Sequence, residues 1–186
     1  TGTNGKTTTT SLVGKILNDY NHNTFVVGNI GNPYTGEVLK SRADTVTVAE
    51  ISSFQLETAD TFRPHISAIL NLTPDHLNRH HTMEQYVREK EKIARNQGEE
   101  DYLILNYNDP LLREFGENKE GALRCKILYF DSTGRIENGY YYQDNYIYVN
   151  QDGKDKKLIH KDEMNFIEMY EGKGDKKTGK EIGRAH

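Results

Sequence analysis

Short apolar, often β-branched runs alternate with longer polar stretches through the first part of the chain. Phe25 to Gly28 (FVVG), Thr45 to Ile51 (TVTVAEI), Ile66 to Leu72 (ISAILNL), Tyr102 to Asn106 (YLILN) and Lys126 to Phe130 (KILYF) are bounded by polar or turn-forming residues. That is the pattern of buried strands. Between them the spacing predicts helices over roughly Lys6 to Asp19, Met83 to Asn96 and Pro110 to Phe115. Strand-helix alternation of this kind predicts an α/β fold, a mostly parallel sheet with flanking helices. Ligands of such sheets sit beyond the carboxyl ends of the strands. Polar motifs that follow apolar runs are therefore where chemistry is expected.

The pattern changes after Phe130. Tyr140 to Asn150 (YYYQDNYIYVN) predicts a small β-hairpin turning at Asp144-Asn145, with tyrosines along both strands. Those rings suit cross-strand pairing or stacking on a ligand, and pairing is the simpler reading. Lys157 to His160 (KLIH) predicts a further strand. From Glu171 the chain turns to Gly and Lys without periodicity and reads as disordered. One domain is expected over residues 1–167 and a tail over 168–186. The closing EIGRAH is expected to be foreign to the protein, since one reading frame of a common sequencing adapter encodes it. No internal repeat is present.

Composition narrows the class. A length of 186 residues, 34 % of them hydrophobic and 28 % charged, suits one domain or one domain plus a fragment. Mean hydropathy is -0.83, and no run approaches the ~18 apolar residues of a membrane helix. Nothing at the start reads as a leader. A net charge of -4 gives no broad case for a nucleic-acid partner. The single cysteine, Cys125, excludes an intrachain disulfide and fits a reducing compartment. A cytoplasmic protein with no membrane insertion is expected.

Polar motifs carry the chemistry. In TGTNGKTTTT a glycine-rich turn leads into a helix, so backbone N–H groups gather at the positive end of the helix dipole. Gly5 lets an anion approach, Lys6 adds charge for terminal phosphates, and the Thr7 hydroxyl suits their magnesium. An ordinary glycine turn is the alternative. In VAEISSFQLE, Glu50 ends an apolar run, where an acid is costly unless it meets a cation or a donor; an acid exposed at the sheet edge is the alternative. In NLTPDHLNRH, Asp75 and His76 side by side can serve as orienting partner and metal ligand, a structural histidine being the alternative, while Arg79, His80 and His81 read as structural or solvent-facing. In the helix TMEQYVREKEKIARNQ, Met83, Tyr86 and Ile93 make the apolar face. Spacing alone leaves Lys90 a solvated charge in the run Arg88 to Lys92.

Taken in order, GTNGKT, GNIG (Gly28 to Gly31), AEISSFQLE, NLTPDHLNRH and YVREKEKI resemble the central ATP-binding domain of the Mur ligases, which build the peptidoglycan stem peptide. The resemblance covers Thr1 to about Asn106 and continues through LILNYNDP. GTNGKT is shared with folylpolyglutamate synthases and other Mur ligases. ISSFQLE with GNIG is more specific, and resembles the branch that joins D-glutamate to UDP-N-acetylmuramoyl-L-alanine. Another Mur ligase, a folylpolyglutamate synthase-like enzyme and a non-catalytic nucleotide-binding fragment are the alternatives.

The resemblance implies ATP and Mg2+ as cofactors, those two substrates, and a monomer. It implies Gly2, Thr3, Asn4, Gly5, Lys6, Thr7 and Thr8 around the ATP phosphates, and magnesium at Thr7, Glu50, His76 and a carbamylated Lys90. Lys6, His76 and Lys90 become catalytic, and Asn29 and Ser52 match contacts to the UDP-sugar. Asn78 stands where the family often has aspartate and takes no role. The family pattern further implies flanking domains, so the chain is expected to be a fragment that does not ligate by itself.

Overall fold

In a computed structural model the structure describes residues 1–21, 23–118 and 123–164. They form two compact units, Thr1–Asp131 and Ser132 onward. In the first, helix α1 (Lys6–Asn21) is followed by strand β1 (Thr24–Gly28), a short helix α2 (Tyr34–Glu37) and β2 (Val46–Glu50). Helix α3 (Ser53–Glu57), β3 (Ile66–Ile69), α4 (Leu77–His80), α5 (Met83–Glu91), β4 (Tyr102–Asn106), α6 (Pro110–Glu117) and β5 (Lys126–Asp131) complete it. β1 pairs with β2, and β4 lies between β3 and β5, every pair parallel. The α/β expectation holds.

Local chemistry starts the helices. Asp109 caps α6, accepting from Leu111 N at 3.1 Å, with Pro110 in the first turn where its missing N–H costs nothing. Ser52 and Gln55 form a reciprocal capping box on α3. Thr82 caps α5. The helix expected over Met83 to Asn96 is α5 as far as Glu91, then tightens into a 3-10 turn over Lys92–Ala94. The strand expected over Ile66 to Leu72 stops at Ile69 because its end is claimed by other partners. Leu70 N donates to Thr1 O at 3.2 Å, and Leu72 N donates to Asp109 Oδ2 at 2.6 Å.

The core joins Leu56, Ile69, Leu72, Ile93, Ala94, Leu103, Leu105 and Leu112, none more than 5 % exposed. Each such side chain contributes about 1.5–3 kcal/mol by leaving water. Their packing sets the carboxyl ends of β2 and β3, where the polar motifs emerge.

The second unit is an antiparallel meander of β6 (Gly139–Gln143), β7 (Tyr146–Gln151) and β8 (Lys154–His160). Its first turn is Asp144-Asn145, with φ of 50° and 64°. Positive φ at both central residues matches the right-handed twist of a two-residue hairpin. Asp152-Gly153 repeats the device at φ 51° and 75°, so β8 begins at Lys154, earlier than KLIH predicts. Tyr141 and Tyr148 pair across the strands with rings 5.0 Å apart and 3° from parallel. Cross-strand pairing accounts for them. The tail expected over 168–186 lies outside the described residues.

Candidate functional site

The glycine-rich loop enters α1 with Gly2 at φ 142° and Gly5 at φ 76°. A side chain on Gly2 would meet Leu70 Cβ at 3.1 Å, so only glycine lets the loop lie against the end of β3. Asn71 holds the loop there. Its Oδ1 accepts from Asn4 N at 2.7 Å, its Nδ2 donates to Asn4 O at 3.1 Å, and its carbonyl accepts from Thr3 N at 2.9 Å. Lys6 Nζ donates to Thr3 O at 2.8 Å, folding its charge back over the loop.

β2 brings the acid. Glu50 is 2 % exposed, and its two carboxylate oxygens accept from the Thr7 hydroxyl at 2.8 Å and from Asn29 Nδ2 at 3.0 Å. Asn29 N also donates to Glu50 O at 2.8 Å. Gly28 makes this approach feasible, since a Cβ there would lie 2.2 Å from Glu50 O. Thr7, Asn29 and Glu50 thus come together, although Thr7 and Glu50 are 43 residues apart in the chain. The carboxylate meets neutral donors there, and a carboxylate beside a hydroxyl oxygen is a donor set that hard cations take.

The structure corrects the reading of Lys90 as a solvated charge. Its side chain is buried at 2 % exposure, with Nζ donating to Gly2 O at 2.9 Å and to Thr1 Oγ1 at 3.4 Å. It also lies 4.7 Å above the Tyr86 ring. Burial, and then the Lys6 charge, lower its pKa to about 8, against a weaker opposing pull from Asp75. Lys92 points elsewhere and pairs with Glu89 at 2.5 Å.

His76 opens α4 in the left-handed conformation at φ 53°. Its Nε2 lies 3.4 Å from Asp75 Oδ2, and its ring is 4.9 Å from that of Phe54. It makes no hydrogen bond to Glu50 or Lys90 among the described residues. Ser52 is engaged as the cap of α3, accepting from Gln55 N at 3.3 Å. Thr8 stands exposed on the first turn of α1. No three His, Cys, Asp or Glu side chains converge to cage a metal among the described residues.

Sequence reasoning missed Asn71 and Tyr86. Tyr86 is 1 % exposed and its hydroxyl shares a 3.1 Å hydrogen bond with Thr3 Oγ1, joining α5 to the loop. Thr3 Oγ1 in turn accepts from Thr73 N at 3.0 Å. A tyrosine on an apolar helix face near a glycine loop was the available signal, and it read as core.

The Mur ligase middle domain family matches residues 1–170. The chain belongs to that family. As a Mur ligase domain it is 52 % identical over 167 residues to the UDP-N-acetylmuramoylalanine--D-glutamate ligase of Lachnoclostridium phytofermentans, covering 90 % of this chain and 36 % of that protein. Against the ligase of the same name in Clostridioides difficile it is 48 % identical over 164 residues, covering 88 % of this chain and 35 % of the relative. The chain therefore spans about a third of these relatives' length.

Among solved structures it resembles UDP-N-acetylmuramoyl-L-alanyl-D-glutamate--2,6-diaminopimelate ligase with a TM-score of 0.61 at 21 % identity, covering 85 % of this chain and 37 % of that one. A MurF ligase from Thermotoga maritima in complex with ADP matches with a TM-score of 0.56 at 18 % identity, covering 84 % and 38 %. At those identities the likeness is one of fold. No helix among the described residues is long and apolar enough to cross a membrane.

Proposed function

We propose that this chain is the ATP-binding middle domain of a cytoplasmic, monomeric ligase that joins D-glutamate to UDP-N-acetylmuramoyl-L-alanine in peptidoglycan precursor synthesis. The observation that carries the reading is the convergence of Thr7 and Asn29 on the buried Glu50 carboxylate, beside a glycine loop that opens a helix. The names of the relatives support the substrates.

In this reading the alanyl carboxylate takes the terminal phosphoryl group of ATP, giving an acyl phosphate and ADP. The D-glutamate amine then attacks the acyl carbon; the C–N bond forms as the bond to phosphate breaks, and the amine loses a proton. The loop from Gly2 to Gly5, with Thr8, surrounds the phosphates; Thr3 N and Asn4 N are held by Asn71, so the N–H groups offered are those at the start of α1. Lys6 leaves the Thr3 carbonyl to meet the terminal phosphate. Thr7 and Glu50 would hold Mg2+, which would supply positive charge to the phosphates. Asn29 and Ser52 touch the UDP-sugar.

Lys90 and His76 serve a second magnesium. A lysine becomes an anionic ligand when its neutral amine attacks the carbon of CO2, forming an N–C bond and releasing a proton. With its pKa near 8, roughly a tenth of Lys90 side chains are neutral at pH 7. At the ordinary lysine pKa the neutral fraction would be roughly one in 3,000. Burial thus prepares Lys90 for carbamylation.

The test is Lys6→Ala in the full-length ligase that carries this domain, assayed for phosphate release dependent on both substrates. Removing one preorganised charge at a developing phosphoryl centre costs roughly 3–4 kcal/mol, a loss of about 10²–10³ in rate. A change below about tenfold would show that this loop is not the phosphate site.

A further inference from the structure

α3 follows Glu50 after a short turn, and α4 begins with His76 as its N-cap. α4 has four residues, no side-chain cap, and positive φ on both sides, 53° at His76 and 66° at His81. So short a helix does not hold its own shape in water. Its geometry has to come from contacts with other elements.

Those contacts centre on one imidazole. His80, the last residue of α4, is 5 % exposed, and its Nε2 lies 3.0 Å from the hydroxyl of Ser53, itself 2 % exposed and the first residue of α3. His80 Nδ1 lies 3.6 Å from Glu57 Oε1, on the last residue of α3. The Ser53 hydroxyl can donate to or accept from Nε2, and the Glu57 carboxylate faces the other ring nitrogen. One ring therefore spans α3 from first residue to last.

Packing adds a second tie. The Phe54 ring stacks on His80 with centroids 5.4 Å apart and planes 22° from parallel, and meets His76 at 4.9 Å and the Arg79 guanidinium at 4.7 Å. Arg79 also forks onto Glu57, at 2.6 Å and 3.1 Å. His80 also meets Tyr86 at 5.3 Å, and Tyr86 reaches both Thr3 and Lys90.

We propose that His80 is a positioning residue for His76: its bond to Ser53 and its stacking on Phe54 clasp α4 to α3 and keep His76 in its left-handed conformation. The clasp rests on the reading of His76 and the glycine loop given above. It explains why a buried serine and a buried histidine face each other where two apolar residues would pack as well. Residues that orient a metal-binding group through such contacts typically control about 10–100-fold in activity.

The test is made in the full-length ligase, at a temperature well below each variant's melting midpoint, so that lost stability does not enter the rate. His80→Phe keeps the ring but removes both polar links; kcat is expected to fall about 10–100-fold while KM for ATP stays within about twofold, since the glycine loop is untouched. His80→Gln, which can still bond Ser53, is expected to recover part of kcat. Ser53→Ala removes one hydroxyl and gives the same test without relying on His80→Phe folding. In the double variant Ser53→Ala/His80→Phe, kcat should fall no further than with His80→Phe alone, because both act through one bond. Wild-type kcat in His80→Phe and Ser53→Ala, or fully additive losses, would overturn the clasp. Lys6→Ala run alongside separates the two readings. If it too retains wild-type turnover, the phosphate site itself is wrong and the clasp goes with it. An inactive Lys6→Ala beside unimpaired His80→Phe and Ser53→Ala overturns the clasp alone.

Discussion

The unit that carries the glycine loop and the tyrosine meander solve the same problem in opposite ways. Around the loop, charged and polar side chains go inside: Glu50 and Lys90 are 2 % exposed, Ser53 2 % and His80 5 %. Each is affordable because a particular partner meets it, and an unmet buried polar group costs about 1–3 kcal/mol, more for a charge. In the meander the polar groups of the lysine-rich strand β8 stay largely exposed, buried Asn150 meets Asn138 N and Asp155, and the remaining stability comes from turns and stacked rings. The first region concentrates its sensitivity in a few groups. The second spreads it thinly. The proposed phosphate site needs charges held ready where water is scarce, and the first arrangement supplies that.

Single substitutions should expose the difference. The largest effect belongs to Lys90. In the full-length ligase Lys90→Ala is expected to abolish most activity, and a short carboxylate added to the assay to restore part of it by filling the vacated anion position. Lys92→Ala should do little, since Lys92 pairs with Glu89 on another side of the helix. Equal losses at the two lysines, or unchanged magnesium dependence with no rescue, would return Lys90 to an ordinary structural role.

Next comes pH. The folded-state pKa of Lys90 is lowered from 10.5 to about 8, so between those values the unfolded chain binds more protons and stability rises with pH. Relative to Lys90→Met, the unmodified protein should gain about 3 kcal/mol of unfolding free energy between pH 7 and pH 11, the gain setting in as pH rises through the folded pKa. Denaturant titration of both proteins across that range reads it directly. A difference that stays flat would mean the amine is not desolvated.

The meander should respond less. Tyr148→Ala removes the ring stacked on Tyr141, a loss of about 0.5–1.5 kcal/mol beyond the buried area, seen as a lower melting midpoint with KM for ATP unchanged. Gly153→Ala meets no neighbouring atom, yet φ of 75° strains any side chain there, so a penalty of roughly 1 kcal/mol is expected. A loss of several kcal/mol from either substitution would show that the meander is as finely balanced as the site, and the contrast would fail.

What was legible in the sequence is what short-range rules govern. Alternating β-branched runs marked β1 to β5 because a buried strand needs only its own side chains to be apolar. The Asp144-Asn145 turn was legible because positive φ favours few residues, and the same rule applied to Asp152-Gly153 would have found the start of β8. The glycine loop showed itself for a like reason. The short helices α3 and α4 did not, being too brief for a period to register.

Tertiary structure decided which polar residues went inside. Helical spacing sets Lys90 nearer than Lys92 to the face of Tyr86 and Ile93 but does not say what stands opposite, and its carbonyl partner at Gly2 lies 88 residues away in the chain. Thr7 meets Glu50 across 43 residues, and Ser53 meets His80 across 27. Whether a charge is solvated or buried depends on who stands opposite, and that neighbour is chosen by the path of the whole chain.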